Sequence, residues 1–124
     1  MFRRNYLIIV KNIFIYIKKN TMAISSTFLQ DMVNNTEFTV LEQLLISYLE
    51  AYYDKELFLR FVGSNVEFDR FREFEAPLKA ANVNLGRYNK ILDEIIKLYD
   101  ATGWTVTYVT TPAASVIRFT PKTT

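Results

Sequence analysis

The chain has no cysteine and no histidine among its 124 residues. Without cysteine there is no disulfide, no thiol nucleophile and no thiolate metal ligand. Without histidine the commonest general base is gone. With both missing, so are the usual side-chain ligands of zinc, iron–sulfur and haem sites. Serine–histidine and cysteine–histidine catalysis is excluded with them. Glycine and proline are scarce, three of each. Gly63, Gly86 and Gly103 lie too far apart to cradle a phosphate, and neither GxGxxG nor a P-loop is present. The same scarcity leaves no linker or low-complexity tract to divide the chain, and no repeat at solenoid spacing is found.

What is present is apolar and aromatic. Half the residues are hydrophobic, with ten Phe and eight Tyr. Such a chain can bury a core, which excludes intrinsic disorder as its dominant state. The lack of cysteine suits a cytoplasmic setting. The formal charge is +2, but its distribution is uneven. Residues 1–21 hold Arg3, Arg4, Lys11, Lys18 and Lys19 and no acid. The remainder is mildly acidic, which argues against general nucleic-acid binding.

Residues 1–21 therefore form a separate basic, apolar segment. Lys11 and Asn12 interrupt its apolar run, and no small-residue cleavage site comes after it, so it is not a secretory signal. It is also too short for a transmembrane helix, which needs about 20 apolar residues. Two readings are carried. Phe, Tyr, Ile, Asn and Lys, whose codons can be written mainly with A and T, fill 15 of the 19 positions from Phe2 to Asn20 but only 31 of the 103 from Met22 onward. That step is expected of translated leader DNA ahead of a start at Met22. Alternatively, Arg4, Lys11 and Lys18 recur every seven residues and mark one basic stripe on an amphipathic helix. Such a helix would lie on an anionic membrane surface, so a membrane is a partner only if the segment is genuine.

Residues 22–124 are expected to form a single α+β domain: three to four helices with a C-terminal β-hairpin, extended to a three-stranded sheet if residues 57–62 are a strand. Thr39 and Glu42 make a capping box, and Leu41, Leu44, Leu45, Tyr48, Leu49 and Tyr52 continue at helical spacing. This predicts a helix over 40–54, with a short helix before it around Phe28 and Met32. Residues 57–62 read as a strand or as an extension of that helix. Ser64 with Glu67 matches a second capping box, and Phe68, Phe71, Phe74 and Leu78 continue at spacings of three, three and four, predicting a helix over about 65–75. Pro77 suits a break or the first turn of another short helix. Asn84 caps a helix over about 85–101, which Gly103 ends. Trp104, Val106 and Tyr108 then alternate with Thr105 and Thr107. Beyond the turn at 110–115, Ile117 and Phe119 supply the return strand's apolar face.

No catalytic, cofactor-binding or metal-binding residue is assigned, and no cofactor is expected. Glu73 with Glu75, and Asp93 with Glu94, are candidate acid pairs for acid–base work or Mg²⁺, and they read as solvated helix faces. The candidate partner-binding residues are Phe68, Phe71, Phe74 and Trp104. The three Phe read first as core and second as an exposed stripe. Trp104 reads as a hairpin anchor packed with Phe119 or as a binding anchor. The resulting expectation is a non-enzymatic protein-binding or assembly module, with another protein or a second copy of itself as partner. Its texture resembles an accessory or virion protein of a phage or other mobile element. The alternative is a DNA-binding regulator, because a helix followed by a hairpin is similar in order, over about residues 65–120, to winged-helix domains. Against it, Arg87, Lys90 and Lys97 on that helix are balanced by Asp93, Glu94 and Asp100.

Overall fold

The computed structural model describes residues 25–123. The segment 1–21, on which the start at Met22 and the membrane-surface helix both rest, lies outside the described residues. Helix α1 (Ser26–Asn34) starts where the Ser25 hydroxyl accepts from the Phe28 amide. It buries only Met32 and leaves Phe28, Leu29 and Val33 exposed. Asn35 then turns the chain, its Oδ1 accepting from the amides of Glu37 and Phe38.

Helix α2 (Val40–Arg60) begins on the expected capping box: Thr39 Oγ1 accepts from the Glu42 amide and Glu42 Oε1 from the Thr39 amide. It runs past the expected end at 54, so residues 57–60 extend the helix rather than form a strand. No glycine or proline interrupts the chain before Gly63, and Glu56 pairs with Arg60 one turn on at 3.2 Å. Gly63, at φ 96°, sits in the loop after the helix.

The third strand comes from a segment read as helix. Strand β1 (Val66–Asp69) replaces the first part of the helix expected over 65–75. Two local features defeat the helical spacing. Val66 and Phe68 alternate inward and pair with the C-terminal strand. Asp69, not Ser64, caps the next turn, its Oδ1 accepting from the amides of Phe71 and Arg72. That π-helical turn (Phe71–Glu75) leads into the short helix α3 (Ala76–Ala80), with Pro77 in its first turn. Asn84 caps a 3₁₀ turn (Leu85–Arg87) that opens into helix α4 (Tyr88–Asp100). Gly103, at φ 98°, reverses the chain into strand β2 (Trp104–Thr110), and a tight turn returns it as strand β3 (Ser115–Pro121).

The sheet is antiparallel throughout, in the order β1-β3-β2. The fold is thus the expected α+β arrangement: among the described residues, four α-helices with a three-stranded sheet carrying a C-terminal hairpin. The helices pack on one face. Phe119 sits at the centre of that layer, with the rings of Tyr53, Phe68, Tyr99 and Trp104 at 5.5, 5.1, 4.9 and 6.3 Å. Thr105 and Thr107 point to the other face and are exposed. Among the described residues, no buried side-chain polar atom lacks a partner, and no helix is long and apolar enough to cross a membrane.

Candidate functional site

Edge strands carry free backbone groups, so the two edges of this sheet decide where another chain can attach. In an antiparallel ladder both polar groups of a residue point the same way, and the direction alternates along the strand. The hairpin fixes the phase. Thr111 and Ala114 exchange both amide bonds across the turn, and the Lys122 amide donates to the Gly103 carbonyl at the other end. With Thr107 opposite Arg118, the odd-numbered residues of β2 therefore bond to β3. The N–H and C=O groups of Trp104, Val106, Tyr108 and Thr110 point away from the sheet. Among the described residues, no donor or acceptor reaches them.

The opposite edge is partly covered. In β1 the outward groups belong to Glu67 and Asp69. The Asp69 amide donates to Glu73 Oε2 at 2.7 Å, and Arg60 Nη1 reaches the Glu67 carbonyl at 3.4 Å. Glu73 is the hub of this cover. Its Oε1 also accepts from Tyr52 at 2.5 Å and from Arg60 Nη2 at 2.7 Å, and its main-chain carbonyl accepts from Tyr53. Burial by itself pushes the Glu73 carboxyl up. The hydrogen bonds from Tyr52, Arg60 and the Asp69 amide outweigh it and hold the carboxyl below its ordinary range. Burial, together with donation to this carboxylate, pushes the Tyr52 phenol up to about 12.

The open edge starts at an aromatic corner. Phe61, just after α2, stacks edge-on against Trp104 at 5.4 Å, and Trp104 in turn meets Phe119. Next to Phe61 in the chain stand large apolar groups in solvent: Phe58 is 88% exposed and Val62 87%. Asp54, Phe58 and Phe61 recur at helical spacing, which puts Phe58 on the side of α2 that faces this corner. A cleft of about 280 Å³ adjoins it, lined by Glu50, Asp54, Leu98, Tyr99, Thr102 and Trp104. There the Tyr99 hydroxyl lies 2.6 Å from Asp54 Oδ1 and 2.8 Å from the Glu50 carbonyl, sharing one proton between them. Burial, reinforced by repulsion from Asp54, raises the Glu50 carboxyl.

The four residues singled out from sequence do not meet on one surface. Phe68 and Phe74 are fully buried, one in β1 and one in the π-helical turn, so neither is available to a partner and the exposed-stripe reading is corrected for both. Phe71 alone points outward, 59% exposed. The period breaks because the strand ends and a π-helical turn begins between the rings. Trp104 is partly buried and belongs to both the hairpin packing and the corner. Phe58, Phe61 and Val62 were missed, because residues 57–62 gave no clear period.

Several other chemistry-bearing groups are occupied. Glu73 and Glu75 do not act together: Glu75 pairs with Arg70 at 2.7 Å. Arg87 grips Glu42 with two bonds, Nε to Oε2 at 2.7 Å and Nη2 to Oε1 at 2.9 Å, and also donates to the Glu37 carbonyl. Hydrogen bonding to Arg87 accordingly lowers the Glu42 carboxyl despite its burial. Lys90 lies 5.2 Å from the Phe38 ring. Among the described residues, no group of three acidic side chains could hold a metal ion. No protein-family model matches the chain, and neither does any curated protein or solved structure.

Proposed function

We propose that the protein is a non-enzymatic binding or assembly module that attaches to another protein through its open β2 edge and the aromatic corner beside it. The observation that carries this reading is the asymmetry of the sheet. One edge has the Asp69 amide and the Glu67 carbonyl taken by Glu73 and Arg60, while the other is bare and begins at Trp104 beside Phe61, next to which in the chain Phe58 and Val62 stand exposed. Open edges and exposed apolar groups rimmed by polar ones are the usual footing of protein–protein contacts. An accessory or virion role in a phage or other mobile element extends the proposal, on the composition step at Met22. A cytoplasmic setting extends it on the absence of cysteine.

The winged-helix alternative has less support. Arg87, which would have to reach phosphate from the start of α4, is held by Glu42 and the Glu37 carbonyl. Releasing it would leave the buried Glu42 carboxylate without its cation.

The test is a photo-crosslinking residue at Phe58 in the native cell, with the exposed Asn89 as control position. Crosslinks to a polypeptide at 58 and not at 89 are expected. They should be lost in a Val62→Ser background whose folding midpoint is unchanged, because Val62 contributes little to the core. No polypeptide at 58, or equal labelling at both positions, would refute the reading.

A further inference from the structure

We infer that the occupant of the β2 edge is the β2 edge of a second copy, paired antiparallel about a two-fold axis through Thr107. The inference rests on the protein-binding reading and names its partner. Strand β2 reads WTVTYVT. It contains no charge, proline or glycine, so it lacks the devices by which edge strands avoid one another. The other hairpin strand, β3, carries Arg118 and Pro121 yet occupies the centre of the sheet. The composition that suits a central strand thus lies at the rim.

Register supports self-pairing. With the axis through Thr107, the strand overlaps its copy along its whole length. Trp104 then lies opposite the copy's Thr110 and Val106 opposite its Tyr108. These are the residues whose N–H and C=O groups point outward, so every open donor faces an open acceptor. About eight inter-strand hydrogen bonds result, two from each facing pair. The side chains agree as well. On the exposed face Thr107 meets Thr107 and Thr105 meets Val109. On the helix side Val106 meets Tyr108. Thr–Thr and aromatic–β-branched pairs are favourable across antiparallel strands. No like charges are opposed along β2. The product is a six-stranded sheet whose two outer edges are both β1, each partly covered by Glu73 and Arg60.

The test uses the full chain and the exposed Thr107, whose side chain lies on the axis but outside the core. Sedimentation equilibrium should show a concentration-dependent dimer for the unaltered protein. Thr107→Glu and Thr107→Lys each place two like charges face to face, and each should weaken self-association by about fivefold or more. Mixing the two variants should restore a dimer, which a general loss of fold would not do. Circular dichroism confirms that each variant remains folded. A chain that stays monomeric throughout, or a dimer indifferent to both charges, would overturn the inference. Neither outcome touches the crosslinking test at Phe58, which lies on α2, off the β2 edge.

Discussion

Replacing Glu73 tests whether its carboxylate covers the β1 edge. The carboxylate accepts from Tyr52, Arg60 and the Asp69 amide. Hydrogen bonds to a charged group contribute on the order of 1.5–3 kcal/mol each when sheltered. The Arg60 side chain is 37% exposed, so its share is discounted to below about 1 kcal/mol. Allowing for non-additivity within one cluster, Glu73→Ala should cost about 2–4 kcal/mol. That is a substantial part of the roughly 5–15 kcal/mol that holds a domain together. Glu73→Gln keeps one acceptor oxygen but loses the charge and turns an amide towards the donors, so about half that cost is expected. The assay is urea denaturation monitored by circular dichroism at neutral pH, with Tyr52→Phe as a control that removes a single donor. A midpoint for Glu73→Ala indistinguishable from the unaltered protein would refute the hub.

The same carboxyl sets a pH dependence of known sign. Its folded pKa lies below the ordinary carboxylate value, so the unfolded chain binds the proton more readily. Its contribution is complete above the ordinary carboxylate range and is lost as pH falls through the lowered folded value. Glu42 has the same sign, through Arg87, and remains in every Glu73 variant. The difference between the acid limbs of Glu73→Gln and the unaltered protein therefore isolates Glu73, and the variant's limb should be the shallower. Losing the carboxylate also bares the Asp69 amide, so the acid-treated protein should gain a second open edge and aggregate.

Other perturbations separate core from corner. Phe119→Ala should cost about 3–5 kcal/mol, because the ring is fully buried among Tyr53, Phe68 and Tyr99. Trp104→Ala should cost clearly less, since one side of the indole faces the cleft; equal midpoint shifts in denaturant would place Trp104 wholly in the core. Gly103→Ala should cost about 1 kcal/mol or more through its φ of 98° alone, as an added Cβ meets nothing within 4 Å. A melt with no shift would show that the turn can relax.

Where one local signal acted alone, the sequence was legible. Thr39 and Glu42 mark the start of α2, Asn84 and Gly103 bracket the turn into α4 and its end, and the alternation after Trp104 gives the hairpin. It failed where two signals overlapped. Phe68, Phe71 and Phe74 sit at helical spacing, and Ser64 with Glu67 imitates a cap, yet Val66 and Phe68 also alternate. The choice between them was made by a partner some fifty residues away: β1 exists because Ile117 and Phe119 accept it at its register. A pattern confined to one segment cannot carry that information.

The candidate site was harder to read for a related reason. Which backbone groups of β2 are free depends on sheet order, and sheet order is a long-range property. Composition alone would put the uncharged β2 in the middle and leave β3, with Arg118 and Pro121, at the rim. The order β1-β3-β2 reverses this. Arg118 is accommodated at the centre because it lies on the open face beside Glu67, at 2.7 Å. Pro121 is accommodated because it lies beyond the last β1 pairing at Val66, where no ladder bond needs its missing N–H. Both exceptions depend on where β1 ends. A strand of four residues partly covered by Glu73 therefore settles which strand of the hairpin stays exposed. That ties the stability prediction at Glu73 to the assembly prediction at Thr107: if β1 detaches, β3 becomes a second open edge and the two-fold pairing at β2 loses its specificity.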